Sequence, residues 1–143
     1  MMGERNIHRE AVRAWRDGWA EGLSPHELVD VYERALDVLW RRALMSLGEI
    51  TLMAIVDRVL HLGAERFPHL VVLKVETSGV HFGELRISTQ SLDRAFLEES
   101  LDCLVIELLR VLGVLTGEIL TPGLHQELRK VRVRSADEKD GDA

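Results

Sequence analysis

The sequence predicts a mainly α-helical bundle of about five helices with one small β-hairpin, at about residues 70–88, and three observations predict it. Apolar residues recur at spacings of three and four through most of the chain. Ser-x-x-Glu patterns at Ser24 and Ser46 mark two helix starts, the second inside an otherwise continuous apolar stretch. Only between Leu70 and Ser88 does strict alternation compete with the helical period. With 143 residues the chain fits one domain and can bury a sizeable core without disulfides or structural metals. Residues 1–134 are assigned to that domain, and the polar, acidic stretch 135–143 is read as a disordered tail.

The first element lies in a docking segment, residues 1–22. Ile7, Ala11, Val12, Trp15 and Trp19 form a narrow stripe with two tryptophans one turn apart, and Gly18 and Gly22 then weaken the helix. The stripe either packs on the bundle or enters a partner's groove, where tryptophan is a favoured anchor, so Trp15 and Trp19 are candidate interface residues. Ser24-Pro25-His26-Glu27 starts the next helix with a capping box and a proline at the first position. Leu28, Val31, Tyr32, Ala35, Val38 and Leu39 line one of its sides. A break at Ser46-Leu47-Gly48-Glu49 leads to a helix from about Glu49 to Arg66, whose single polar stripe is Asp57, Arg58, His61 and Glu65. Phe67-Pro68 ends it, because proline disfavours the α conformation in the residue before it.

In the hairpin, Val71, Leu73 and Val75 alternate with polar neighbours and Thr77-Ser78-Gly79 supplies the turn. Val80, Phe82, Leu85 and Ile87 change phase around Gly83, as a bulge would require. Ser91 is the expected cap of the long helix that follows. Leu97, Leu101, Leu104, Leu108, Leu112, Leu115 and Ile119 step by three and four and mark its buried stripe. Thr121-Pro122 restarts a last short helix carrying Leu124, Leu128 and Val131.

Composition excludes several classes. The net charge of −6 disfavours nucleic acid and anionic lipid as main partners. Leu101–Leu120 has the length of a membrane span, yet it contains Asp102, Glu107, Arg110 and Glu118. Each would cost roughly 2.5–3.5 kcal/mol at bilayer depth, so insertion is refused. Arg5, Arg9, Arg13 and Arg16 are offset charge for charge by Glu4, Glu10, Asp17 and Glu21, which removes the basic face of a membrane-surface helix. The single cysteine, Cys103, excludes an internal disulfide, and with no secretory signal in the first residues a cytoplasmic location is expected.

No catalytic or phosphate-binding signature is present, and enzymatic activity is not expected. The six histidines form no H-x-x-x-H or H-E-x-x-H pair, and no metal site is assigned. No cofactor is assigned either, although His61, His69 or His81 could serve as a haem ligand if an apolar pocket faced it. Glu107, Arg110 and Glu118 cluster beside the leucine stripe on a helical wheel, making Glu107 and Arg110, with His81, candidate ligand contacts. Gly113 and Gly117, four apart on the long helix, suggest close backbone approach and are candidate interface positions.

Residues 50–67 and 92–120 are apolar around well over half their circumference, more than the flanking elements were expected to cover. That surplus predicts a homodimer, acting as a regulatory or adaptor module through contacts with a protein partner. The competing expectation is a small-ligand or haem-binding sensor with an apolar pocket between the central helices.

Overall fold

The computed structural model describes residues 6–19 and 22–132. The tail expected at 135–143 and residues 1–5 of the docking segment lie outside the described residues. Helices α1 (Ile7–Asp17), α2 (Pro25–Leu47) and α3 (Glu49–Arg66) lead through a 3₁₀ turn (Pro68–Val72) into the strands β1 (Lys74–Glu76) and β2 (Gly79–His81). Helix α4 (Gly83–Ser88), a second 3₁₀ turn (Thr89–Ser91), α5 (Arg94–Leu115) and α6 (Thr121–Lys130) complete the order. The chain is a mainly α bundle with one small antiparallel hairpin.

Local chemistry sets the boundaries. Glu27 N–H donates to Ser24 Oγ at 3.2 Å and Ser24 N–H to Glu27 Oε1 at 2.9 Å, the reciprocal box that satisfies two otherwise orphaned donors of α2. Gly48 ends α2 and opens α3. The cap of α5 is Asp93 rather than Ser91: Asp93 accepts from Phe96 N–H at 3.1 Å, whereas Ser91 is held in the 3₁₀ turn, donating to the Ser88 carbonyl.

The hairpin is shorter than its alternation implied. It pairs Lys74 with His81, Val75 with Val80 and Glu76 with Gly79. Gly79, at φ 118°, opens β2 directly after the Thr77-Ser78 turn, and the Trp40 indole packs 3.8 Å from where a Cβ would stand. The expected outer part of the second arm is instead α4. Its Leu85 is buried, and Arg86 donates to Asp30 at 2.6 Å and to Glu33 at 2.5 Å, tying the short helix to α2.

The long helix also ends early. It stops at Leu115, and Gly117 and Glu118 follow in the left-handed region at φ 61° and 64°. Glu118 N–H donates to the Gly113 carbonyl at 2.7 Å, satisfying an orphaned helix-end acceptor. Leu115 and Ile119, expected in the buried stripe, are therefore exposed.

The expected surplus of apolar surface is largely absorbed within the chain. Helix α5 lies centrally, packed by α1, α2, α3 and α6, so Leu97, Leu101, Leu104, Leu108 and Leu112 are all buried. Four covering helices account for a helix that is apolar around well over half its circumference. Helix α3 is peripheral, buries Leu52, Val56, Val59 and Leu60, and leaves Leu62 partly exposed.

Candidate functional site

Helix α1 docks across α5 and α6 through polar contacts as well as apolar ones. Trp15, 2% exposed, donates its Nε1–H to the Val131 carbonyl at 2.8 Å and meets Trp19 and Tyr32 edge-on. Trp15 thus anchors α1 to its own bundle, and its ring is not on the surface. His8 is buried as well, with Nδ1 2.9 Å from His125 Nε2 and Nε2 3.6 Å from Glu118 Oε1. If His8 directs its proton to the carboxylate, His125 must donate to His8 Nδ1. Burial lowers the pKa of both imidazoles; Glu118 partly offsets this for each, while Arg110 opposes protonation of His8, and His8 and Arg129 that of His125.

A second polar network joins α1, α2 and α5. Arg16 pairs with Glu98 and, through Nη1 at 2.7 Å, with Asp102, whose other oxygen accepts the Tyr32 hydroxyl. Arg94 reaches Glu98 at 3.1 Å from the other side. Burial raises the Asp102 carboxyl pKa despite the Tyr32 hydrogen bond and the Arg16 charge, and burial together with Asp102 drives the Tyr32 phenol far above its ordinary value. Burying an ion pair is costly unless its remaining polar atoms are satisfied; Tyr32 satisfies the second Asp102 oxygen, whereas Arg16 Nε is buried without a hydrogen-bond partner among the described residues.

Beside this network lies a cleft of about 340 Å³, within the size range of ligand pockets. Arg9, Arg13 and Arg16 of α1 form one wall and Arg66, at the end of α3, another. Glu98, Glu99, Asp102 and Cys103 of α5 form the floor. Arg16 is neutralised by its two acids. Arg9, Arg13 and Arg66 have no carboxylate within ion-pairing distance among the described residues, although Arg66 lies 5.2 Å over the Phe67 ring. Burial raises the Cys103 thiol pKa, leaving it a thiol rather than a thiolate at neutral pH.

The cleft adjoins a second cavity of about 230 Å³, lined by Val59, Leu62, Gly63, Phe67, Leu70 and Leu104. Arg66 and Cys103 border both. Ser100, in the wall of the second cavity, donates to the Leu97 carbonyl at 2.7 Å, so His69 Nε2–H must donate to Ser100 Oγ at 2.8 Å. The serine proton is thereby committed to the backbone. That arrangement ties the 3₁₀ turn to α5 and leaves no general base acting on the hydroxyl.

The sequence-predicted ligand contacts are not brought together. Glu107 and Arg110 form an i,i+3 ion pair on the outer side of α5, with Glu107 at the edge of the second cavity. Glu118 leaves this cluster because the helix ends before it, and turns to His8 and Thr121. His81 stands on the hairpin beside Ser78 at 2.8 Å and Glu76 at 3.2 Å, with no hydrogen bond or ion pair to Glu107 or Arg110 among the described residues. His61 faces solvent beside Glu65. Gly113 does serve a close approach: a Cβ there would lie 2.5 Å from Glu118 Oε1. Gly117 belongs to the turn after α5, not to the helix.

Neither the balanced charge of α1 nor the polar stripe of α3 singles out Arg9, Arg13, Arg66 or Gly63. The available signal was positional, since Arg9, Arg13 and Arg16 share one helical face, as do Glu98 and Asp102. Among the described residues no group of three or more His, Cys, Asp or Glu side chains is placed to hold a metal ion, and no helix is long and apolar enough to cross a membrane. No family model, curated protein or solved structure matches the chain.

Proposed function

We propose that the protein is a non-catalytic sensor module that binds a small anionic ligand in the cleft between α1, α3 and α5. The observation that carries this reading is the set of three arginines, Arg9, Arg13 and Arg66, that line one cleft and have no carboxylate within ion-pairing distance among the described residues. Guanidinium groups are suited to carboxylate and phosphate through paired N–H donors. Because α1 contributes the larger part of the basic wall, an occupied cleft ties α1 more firmly to α3, and the docking of α1 becomes the output. Thermal denaturation against a panel of small anions tests it. Saturable stabilisation by at least one anion is expected, worth about 2.7 kcal/mol at a hundred times Kd, and it should disappear in the Arg9→Ala/Arg13→Ala double variant. If every anion gives the same weak, unsaturable shift in both proteins, the reading fails.

A separate observation favours a second reading, a homodimeric adaptor. Met45, Ile50, Val114, Leu115 and Ile119 remain exposed at the end of α2, the start of α3, the end of α5 and the loop beyond it. Helices α2, α3 and α5 pack on one another, and Met45 and Ile50 lie either side of the Gly48 break. Exposed apolar side chains of this kind suit a second copy of the chain. Sedimentation at micromolar concentration should then show a dimer that Leu115→Asp with Ile119→Asp converts to monomer. A wild-type monomer throughout that range excludes it.

A further inference from the structure

We infer that the ligand of the arginine cleft is a free amphipathic monocarboxylate, its head held by Arg9, Arg13 and Arg66 and its alkyl chain seated in the adjoining cavity of α3 and α5. This rests on the anion-binding reading and adds the ligand's class. Three observations carry it. The two cavities share Arg66 and Cys103 in their linings, so an apolar cavity lies directly beside the arginines. Four arginines line the cleft against the three acids Glu98, Glu99 and Asp102, and Arg94 engages Glu98 from outside it, so the cleft has a surplus of positive charge suited to an anionic head.

Gly63 supplies the third. It sits inside α3 at a cost of about 1 kcal/mol relative to alanine, yet no backbone approaches it. The nearest atoms to a Cβ there are the tips of Leu70 and Leu104 at 3.4 and 3.7 Å. The missing side chain therefore serves the volume of the cavity rather than a close helix crossing. Val59, Leu62, Phe67, Leu70 and Leu104 give that volume an apolar side for hydrocarbon, with Ser100 and Glu107 on its polar side.

Calorimetric titration of the full chain with acetate, butyrate, hexanoate and octanoate at constant ionic strength, and with octanol, tests the inference. Affinity should rise about fourfold per methylene buried, the value equivalent to roughly 0.8 kcal/mol, until the cavity is full. Octanol should bind at least tenfold more weakly than octanoate. In Gly63→Leu the chain-length dependence should vanish while the shortest acids bind as before. A second readout needs no variant: octanoate should slow alkylation of Cys103, at the junction of the cavities, several-fold more than acetate does. Equal affinity for all four acids, or binding of phosphate but of no carboxylate, overturns the inference while leaving an anion site in place. Octanol equal to octanoate removes the arginines' role, and failure of every anion to bind removes both proposals.

Discussion

Replacing Tyr32 by phenylalanine removes one oxygen from the centre of the molecule and tests whether the Arg16–Asp102–Tyr32 network holds α1 as described. Tyr32 is 0% exposed and its hydroxyl donates to Asp102. The ring keeps its edge-on contacts with Trp15 and Trp19, so no cavity larger than a hydroxyl is left. A hydrogen bond to a charged group contributes about 1.5–3 kcal/mol, and Asp102 retains the Arg16 contact, so a loss of about 2 kcal/mol at neutral pH is expected. For a domain of this size that lowers Tm by roughly 6–8 °C. The pH dependence has a definite sign. Tyr32 donates to the ionised carboxylate, and Asp102 already titrates above its ordinary range. Losing the donor raises that carboxyl further, so the deficit of Tyr32→Phe is full where Asp102 is ionised and shrinks as falling pH protonates it. Urea unfolding of both proteins at a series of pH values measures the difference, in which contributions common to both cancel. A deficit under about 0.5 kcal/mol at neutral pH, or one that does not shrink in acid, refutes the assignment.

Stability should fall as pH drops below the ordinary imidazole value of 6.5, because burial lowers His8 and His125 in the folded chain and the unfolded chain takes up protons first; His8→Gln should flatten the unfolding midpoint against pH in this window, and an unchanged slope would count against the pair. Gly63→Ala should stabilise α3 by roughly 0.5–1 kcal/mol in urea unfolding, since its methyl group meets only side-chain tips. Gly113→Ala should give no such gain, because its Cβ would displace the Glu118 carboxylate that Thr121 and His8 hold; equal gains for the two variants would show the Glu118 cluster to be loose. Ser24→Ala should cost about 1 kcal/mol by removing the capping box of α2.

Elements whose signals are local were legible in the sequence. The capping box at Ser24, the break at Gly48, the stop at Pro68 and the restart at Thr121 each depend on residues within a turn of the boundary. Boundaries settled by distant partners were not. Val80 to Ile87 alternates well enough for a strand, but Arg86 finds Asp30 and Glu33 on α2, more than fifty residues away in sequence, and α4 forms to reach them. The leucine stripe runs on to Ile119 in the sequence, while the chain turns at Gly117 to bring α6 against α2. Burial was overestimated at Leu115 and Ile119 for that reason, and the cover available to α5 was underestimated because the short α1 and α6 each shield part of it.

The candidate site was less legible than the fold because it depends on pairing rather than on residue type. Arg9, Arg13, Arg16 and Arg66 look alike in the sequence, and only the placement of Glu98 and Asp102 separates the neutralised Arg16 from the other three. The same placement divides the contacts of α1. His8, Trp15 and Arg16 fix it to α6, to the Val131 carbonyl and to α5. Arg9 and Arg13, on the same face as Arg16, line the cleft with no carboxylate within ion-pairing distance among the described residues. An anion bridging those arginines to Arg66 adds a link between α1 and α3 that the apolar core does not supply, so ligand binding and the docking of α1 are coupled by charge even if the core packing does not change.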